Sequence, residues 1–288
     1  MLTSLKKIKL LAFIVLILGG INMQGQNAWV RKAKGFYAQA SLSSFSSKDY
    51  YSTDGVLFNA GSTFNSQRLA LYGEYGITDR ITGILDVPLV FNNFSTTETV
   101  GGLGNVKIGL KYGLLKSIPV SLEVSTEIPT DDGINFANAK QPNSLGIIEQ
   151  INLPTSDGEI NFWTTLAASH SIFNGKTFGS LFVSANWRTK SFSHQIQSGL
   201  EIGHLFFDKL FLIGKLKIQE RLTSDLNQGA SFLFGEGTTF TTYGLTSMYK
   251  LNNHWNIVAE FSDFTDFIAQ KRNIYDGFTF SLGLALEY

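Results

Sequence analysis

The sequence predicts an all-β chain: a transmembrane, antiparallel, up-and-down β-barrel of about twelve strands, preceded by a signal peptide. Three observations carry this expectation. Stretches of period-two alternation recur along the chain, and tight and long connections alternate between them. The last stretch, "FTFSLGLALEY", stays in register to its final residue, with Phe278, Phe280, Leu282, Leu284, Leu286 and Tyr288 on one side. Soluble domains usually fray into polar residues at a terminus, whereas a strand that closes a barrel in lipid has to be complete.

The first 25 residues read as the signal peptide. Lys6, Lys7 and Lys9 precede an apolar core from Leu10 to Leu18, and Gly19, Gly20 and Gly25 follow. That core is short of the roughly 20 residues of a spanning helix and suits an export signal with cleavage near Gly25–Gln26. Residues 26–288 then form one barrel domain. No long apolar run recurs, so a membrane location would require strands.

The strands follow in order. "GFYAQASLSSF" (35–45) leads into a polar loop over 46–65, and "RLALYGEYGI" (68–77) turns at "TDR" into "ITGILDVPLVF" (81–91). "GNVKIGLKYGLL" (104–115) turns at "KS" into "IPVSLEVSTEI" (118–128), and a loop rich in Pro, Asp and Asn covers 129–157. "GEINFWTTLAASHSI" (158–172) and "FGSLFVSANWRT" (178–189) come next, then "FSHQIQSGLEIGHLF" (192–206) and "LFLIGKLKIQERL" (210–222). A third loop spans 223–238. "TFTTYGLTSMYKL" (239–251), "WNIVAEFSDFTDF" (255–267) and the terminal strand complete the set. Segments of this length are long enough to span, since roughly 9–11 tilted residues cross a bilayer.

Composition agrees. Charged residues make up 16% of the chain, below the roughly 25% of soluble domains, while Gly 28 and Phe 24 are high. Lys+Arg and Asp+Glu are 23 each, so nothing points to nucleic acid. With no cysteine, disulfides, thiolate catalysis and cysteine zinc sites are excluded. The four histidines are scattered without metal-ligand spacing, and no cofactor is expected.

Alternation by itself fits a sandwich as well as a barrel. In a sandwich the apolar face points inward; in a barrel it meets lipid and the charged face lines the lumen. The export signal, the strand number and the candidate girdle aromatics Tyr75, Tyr112, Trp187, Tyr249 and Trp255 favour the barrel. The candidate lumen lining is then Arg68, Glu74, Asp86, Lys107, Lys111, Glu123, Glu127 and Glu159. Opposite charges on adjacent strands attract, so the set reads first as an ion-paired filling and second as a polar path or binding pocket.

Three stretches, "LYGEYGITDRITGILDVPLVF", "GLGNVKIGLKYGLL" and "LPTSDGEINF", resemble a family of Gram-negative outer-membrane barrels, the transporter-type proteins assigned to the meta-pathway of phenol degradation. With the strand order, the resemblance covers most of the mature chain. Asn105 stands where an acidic residue is common in that pattern, so no role resting on that carboxylate carries over. The resemblance implies a passive channel in the cell outer membrane for small solutes, hydrophobic ones included. It also implies contact with outer-membrane lipid. The terminal run Phe278–Tyr288 separately resembles the C-terminal signal by which the barrel-assembly machinery recognises its substrates, with Tyr288 in place of the usual Phe. Outer-membrane long-chain fatty-acid channels carry a substantial N-terminal plug; here only about Gln26 to Ala33 precede the first strand, so such a plug is not expected.

Two other readings remain. A barrel closed inside would present the loops 46–65, 129–157 and 223–238 as interaction surfaces. An outer-membrane lipid hydrolase would need a Ser beside an outward His, and no Ser is evidently placed beside His194.

Overall fold

The computed structural model describes residues 27–115, 118–173, 175–223 and 237–288; the expected signal peptide, residues 1–25, lies outside them. Sixteen strands follow in chain order. The first six are β1 (Phe36–Tyr51), β2 (Leu57–Thr78), β3 (Ile81–Phe94), β4 (Val100–Gly102), β5 (Val106–Gly113) and β6 (Val120–Ile128). Then come β7 (Phe136–Asn138), β8 (Gln150–Asn152), β9 (Asn161–Ile172), β10 (Thr177–Arg188) and β11 (Gln195–Phe206). The last five are β12 (Leu210–Arg221), β13 (Phe240–Lys250), β14 (Trp255–Thr265), β15 (Ile274–Asp276) and β16 (Thr279–Glu287).

Fourteen of these form one antiparallel sheet. Without the short β4 and β15, twelve strands remain (14 − 2), and β1 closes the ring by pairing with both β2 and β16. The terminal strand thus supplies the seam, from Tyr37 opposite Glu287 to Phe45 opposite Thr279. An open edge in hydrocarbon would strand a row of N–H and C=O groups, which is why the alternation runs to the end of the chain.

Wall orientation decides between sandwich and barrel. Leu110, Val124 and Leu181 are 55%, 55% and 63% exposed, while the adjacent Lys111, Ser125 and Ser180 are 3%, 2% and 3% exposed. Most large apolar side chains face outward and most polar ones face the lumen; Phe45, Phe64, Phe182 and Phe240 are among the exceptions buried inside. All five expected girdle aromatics are exposed. Leu284 is likewise exposed, whereas Ala285, its neighbour in the same strand, is fully buried.

The sequence expectations need four corrections. The polar stretch 46–65 is mostly strand: β1 and β2 pair beyond Ser47, and only residues 52–56 turn. These residues alternate too weakly to read as strand, yet their backbone groups still need partners. The loop 129–157 does not simply face outward. It forms the β7–β8 hairpin and then dips into the barrel, where Leu153 to Glu159 are all buried. Gly158 (φ +71°) allows this entry, since a Cβ there would overlap the Asp132 carbonyl. Glu159 consequently belongs to that inward segment, not to a strand. The loop 223–238 lies largely outside the described residues.

The fourth correction concerns the plug. The seven residues Asn27–Ala33 fold into the lumen at the short-turn end. Ala28 N donates to Ser169 Oγ (2.9 Å), and Arg31 N donates to Thr82 Oγ1 (2.8 Å). Ala28 packs with Ala167 and Phe182, and Trp29 sets its ring edge-on to Phe178. Gly76 makes room, because a Cβ there would collide with the Lys32 carbonyl. A segment too short for a plug domain still occupies the lumen at this end.

Candidate functional site

Period-two geometry sends residues i and i+2 to the same face, so each strand delivers a short column of polar side chains into the lumen. The columns meet differently at the two ends.

At the short-turn end the charges interlock. Glu74 accepts from Arg31 Nε (2.7 Å), Tyr72 Oη (2.7 Å) and Lys111 Nζ (3.3 Å). Arg31 also bonds Glu287 of the terminal strand and lies over the Tyr37 ring at 5.1 Å. This cluster ties the N-terminal segment to both sides of the barrel seam. Farther up, Lys107 pairs with Glu123 (3.2 Å), Arg68 with Asp86 (3.3 Å) and Lys215 with Glu260 (3.2 Å).

Of the eight expected lining residues, Arg68–Asp86, Glu74–Lys111 and Lys107–Glu123 are thus brought together as pairs. Glu127 sits opposite Lys107 in the ladder. Glu159 is fully buried and bonds Arg188, whose guanidinium also lies 3.8 Å from Asp157. Arg31, Asp157, Arg188, Lys215 and Lys217 are functional-site residues absent from that expectation. The parity of "LIGKLKIQERL" already puts Lys215 and Lys217 on the charged face; Arg31 and Asp157 lie in non-strand segments, where parity gives no signal.

Toward the long-loop end the lumen widens into a chamber of about 360 Å³, within the roughly 300–1,000 Å³ range of small-molecule sites. Its wall has two unlike halves. From β9 to β12 it is polar, with Asn161, Asn186, Gln195, Gln197 and Gln219. From β13 through β16 and β1 to β2 it is aromatic, with Phe240, Phe264, Phe45 and Phe64, joined by Tyr275 of β15. Phe64 stacks on Tyr275 at 4.7 Å, and Phe240 meets Phe264 edge-on at 5.3 Å. The buried segment 153–159 and the Ala137 face of the β7–β8 hairpin cover the chamber from the loop side, with Ala137 and Leu153 packed on Phe45 and Phe64.

At the rim, Lys271 Nζ bonds Asp276 (2.9 Å), lies 3.5 Å from Asp266 and sits over the Tyr51 ring. Burial disfavours its charge, but the Asp276 hydrogen bond and the nearby carboxylates outweigh that and hold the ammonium above the usual lysine range.

Three of the four histidines, His194, His204 and His254, have local partners. His194 lies beside Trp187, and its Nδ1 accepts the Arg188 backbone N–H (3.1 Å). His204 Nδ1 is 2.6 Å from the Thr177 hydroxyl, and His254 stacks on Tyr288. No metal-holding cluster occurs among the described residues.

No protein-family model matches the chain, and no curated protein matches it. Solved structures do. An outer membrane channel from Pseudomonas putida F1 is similar over 93% of this chain and 100% of that one, with a TM-score of 0.61 at 14% identity. The translocator domain of the autotransporter NalP from Neisseria meningitidis is similar over 90% of each chain, with a TM-score of 0.52 at 10% identity. The likeness is one of fold: this chain is a closed twelve-stranded barrel of the outer-membrane kind.

Proposed function

We propose that the mature chain resides in the cell outer membrane and acts as a passive channel for small solutes, hydrophobic ones included. The observation that carries this reading is the partly open chamber of about 360 Å³ inside a wall whose outer face is apolar. A purely structural barrel has no need of such a space, since side chains alone can fill narrow ones. The resemblance to the phenol meta-pathway barrels agrees with the same reading, as does assembly through the terminal strand Phe278–Tyr288. Catalysis has no part in it; phospholipid hydrolysis that disappears in His194→Ala would overturn that.

The alternative of a closed surface-interaction barrel draws support from one specific observation: both ends of the lumen carry inward-folded chain, residues 27–33 at one and 153–159 at the other. Planar-bilayer conductance and liposome swelling separate the two readings. For a channel, small solutes pass, and deletion of Asn27–Ala33 raises conductance severalfold. If neither the intact nor the shortened protein passes any solute, the closed-barrel reading stands.

A further inference from the structure

One cation of the chamber stands apart from the rest. Lys217 points into the space from β12, at the junction of the polar and aromatic half-walls, and its Nζ lies over the Phe240 ring at 5.5 Å. Among the described residues Lys217 enters no ion pair and no hydrogen bond, whereas Arg31, Arg68, Lys107, Lys111, Arg188 and Lys215 all have carboxylate partners. A buried ammonium that forms no ion pair is costly, and a ring face offsets only part of that cost.

Further unspent hydrogen-bonding capacity collects around the same space. Thr242, the ladder partner of Lys217, is 6% exposed, and its Oγ1 has no partner among the described residues. Arg68 Nε, Asn93 Oδ1 and Asn186 Oδ1 are likewise buried without a hydrogen bond among those residues, and all three side chains line the chamber. Native interiors leave few such groups, and each calls for an explanation. The Glu127 carboxylate also faces the chamber and acts on Lys217 through space without forming an ion pair with it; its ladder partner Lys107 is shared with Glu123.

We infer that the chamber is a binding site for small aromatic monocarboxylates, with the ring against the Phe240–Phe264 wall and the carboxylate on Lys217 and the Thr242 hydroxyl. The chemistry follows from adjacency. An ammonium resting on an aromatic wall places an anion partner directly beside a ring-stacking surface, so one short molecule reaches both. A neutral aromatic compound would leave Lys217 unpaired, and an aliphatic acid would forgo the ring contacts. This inference rests on the chamber lying on the solute path, and it gives the channel reading a substrate class.

The test is calorimetric titration of the full mature protein in detergent with benzoate, benzamide, benzylamine and propionate. Benzoate binds at least tenfold more tightly than the other three. Lys217→Met loses at least tenfold of that affinity, Lys217→Arg retains most of it, and Glu127→Gln strengthens it. Equal binding of benzoate and benzamide by the wild type overturns the inference, even if Lys217→Met fails to fold. So does unchanged benzoate affinity in a folded Lys217→Met. Bilayer flux separates this from the channel reading: solute passage without benzoate binding sinks only the site, and benzoate binding without any flux sinks only the channel.

Discussion

The two ends of the lumen handle buried polarity in opposite ways. At the short-turn end Glu74 is shared by Arg31, Lys111 and Tyr72, and the N-terminal segment is stitched to Thr82, Ser169 and Glu287. At the long-loop end, among the described residues, Lys217 has no ion pair, and Thr242 Oγ1, Asn93 Oδ1 and Asn186 Oδ1 have no hydrogen-bond partner. No such atom lies at the short-turn end among those residues. Removing a member of a satisfied network leaves an uncompensated group, whereas removing a group that had no partner leaves nothing behind. The first arrangement stabilises the barrel; the second keeps capacity for something that arrives from outside.

That contrast can be broken by substitution. The largest expected loss is in Arg188→Met, which strands the fully buried Glu159. Breaking a buried pair costs about 3–5 kcal/mol, read from urea unfolding in detergent or lipid. If Arg188→Met and Glu159→Gln both left stability unchanged, the inward segment 153–159 would not be anchored as described. Next is Leu181→Arg on the lipid face, expected to cost about 2–4 kcal/mol if it lies near the bilayer midplane. An unperturbed Leu181→Arg protein would contradict the outward orientation of that wall.

Arg31→Ala tests the satisfied end. Loss of a hydrogen bond to a charged group costs about 1.5–3 kcal/mol, and the lower figure applies here because Lys111 and Tyr72 still serve Glu74. Conductance should rise as the segment loosens; an unchanged stability together with an unchanged conductance would show that Arg31 anchors nothing. The smallest loss belongs to Lys217→Met, which removes a chamber ammonium that no ion pair offsets and should leave stability unchanged or raised. A large loss there would mean that Lys217 is structural and that the two ends are alike after all.

Much of this is legible in the order of the amino acids. The parity of Val106, Ile108, Leu110 and Tyr112 against Lys107 and Lys111 fixes which residues share a face, because a strand's alternation is local and independent of its neighbours; the export signal and the strand number are what turn the apolar face toward lipid. The pairing of Lys107 with Glu123 and of Arg68 with Asp86 follows from adjacent strands joined by tight turns. The terminal strand can be read from the same alternation.

What stays illegible depends on contacts far apart in the chain. Ala28 meets Ser169 across 141 positions and Arg31 meets Glu287 across 256, and neither segment before β1 nor the path of 153–159 alternates. That inward path depends on Asn93, Asn105 and Arg188, which lie on separate strands or beside them and meet the segment only in the assembled wall. Sequence alone therefore determined the barrel, its strand number and the direction its faces point, since these follow from a two-residue repeat and from the need of every backbone group in lipid for a partner. Only the tertiary structure decided which charges are satisfied and which are left facing the chamber, since that depends on how non-repeating segments fill the space the closed wall encloses.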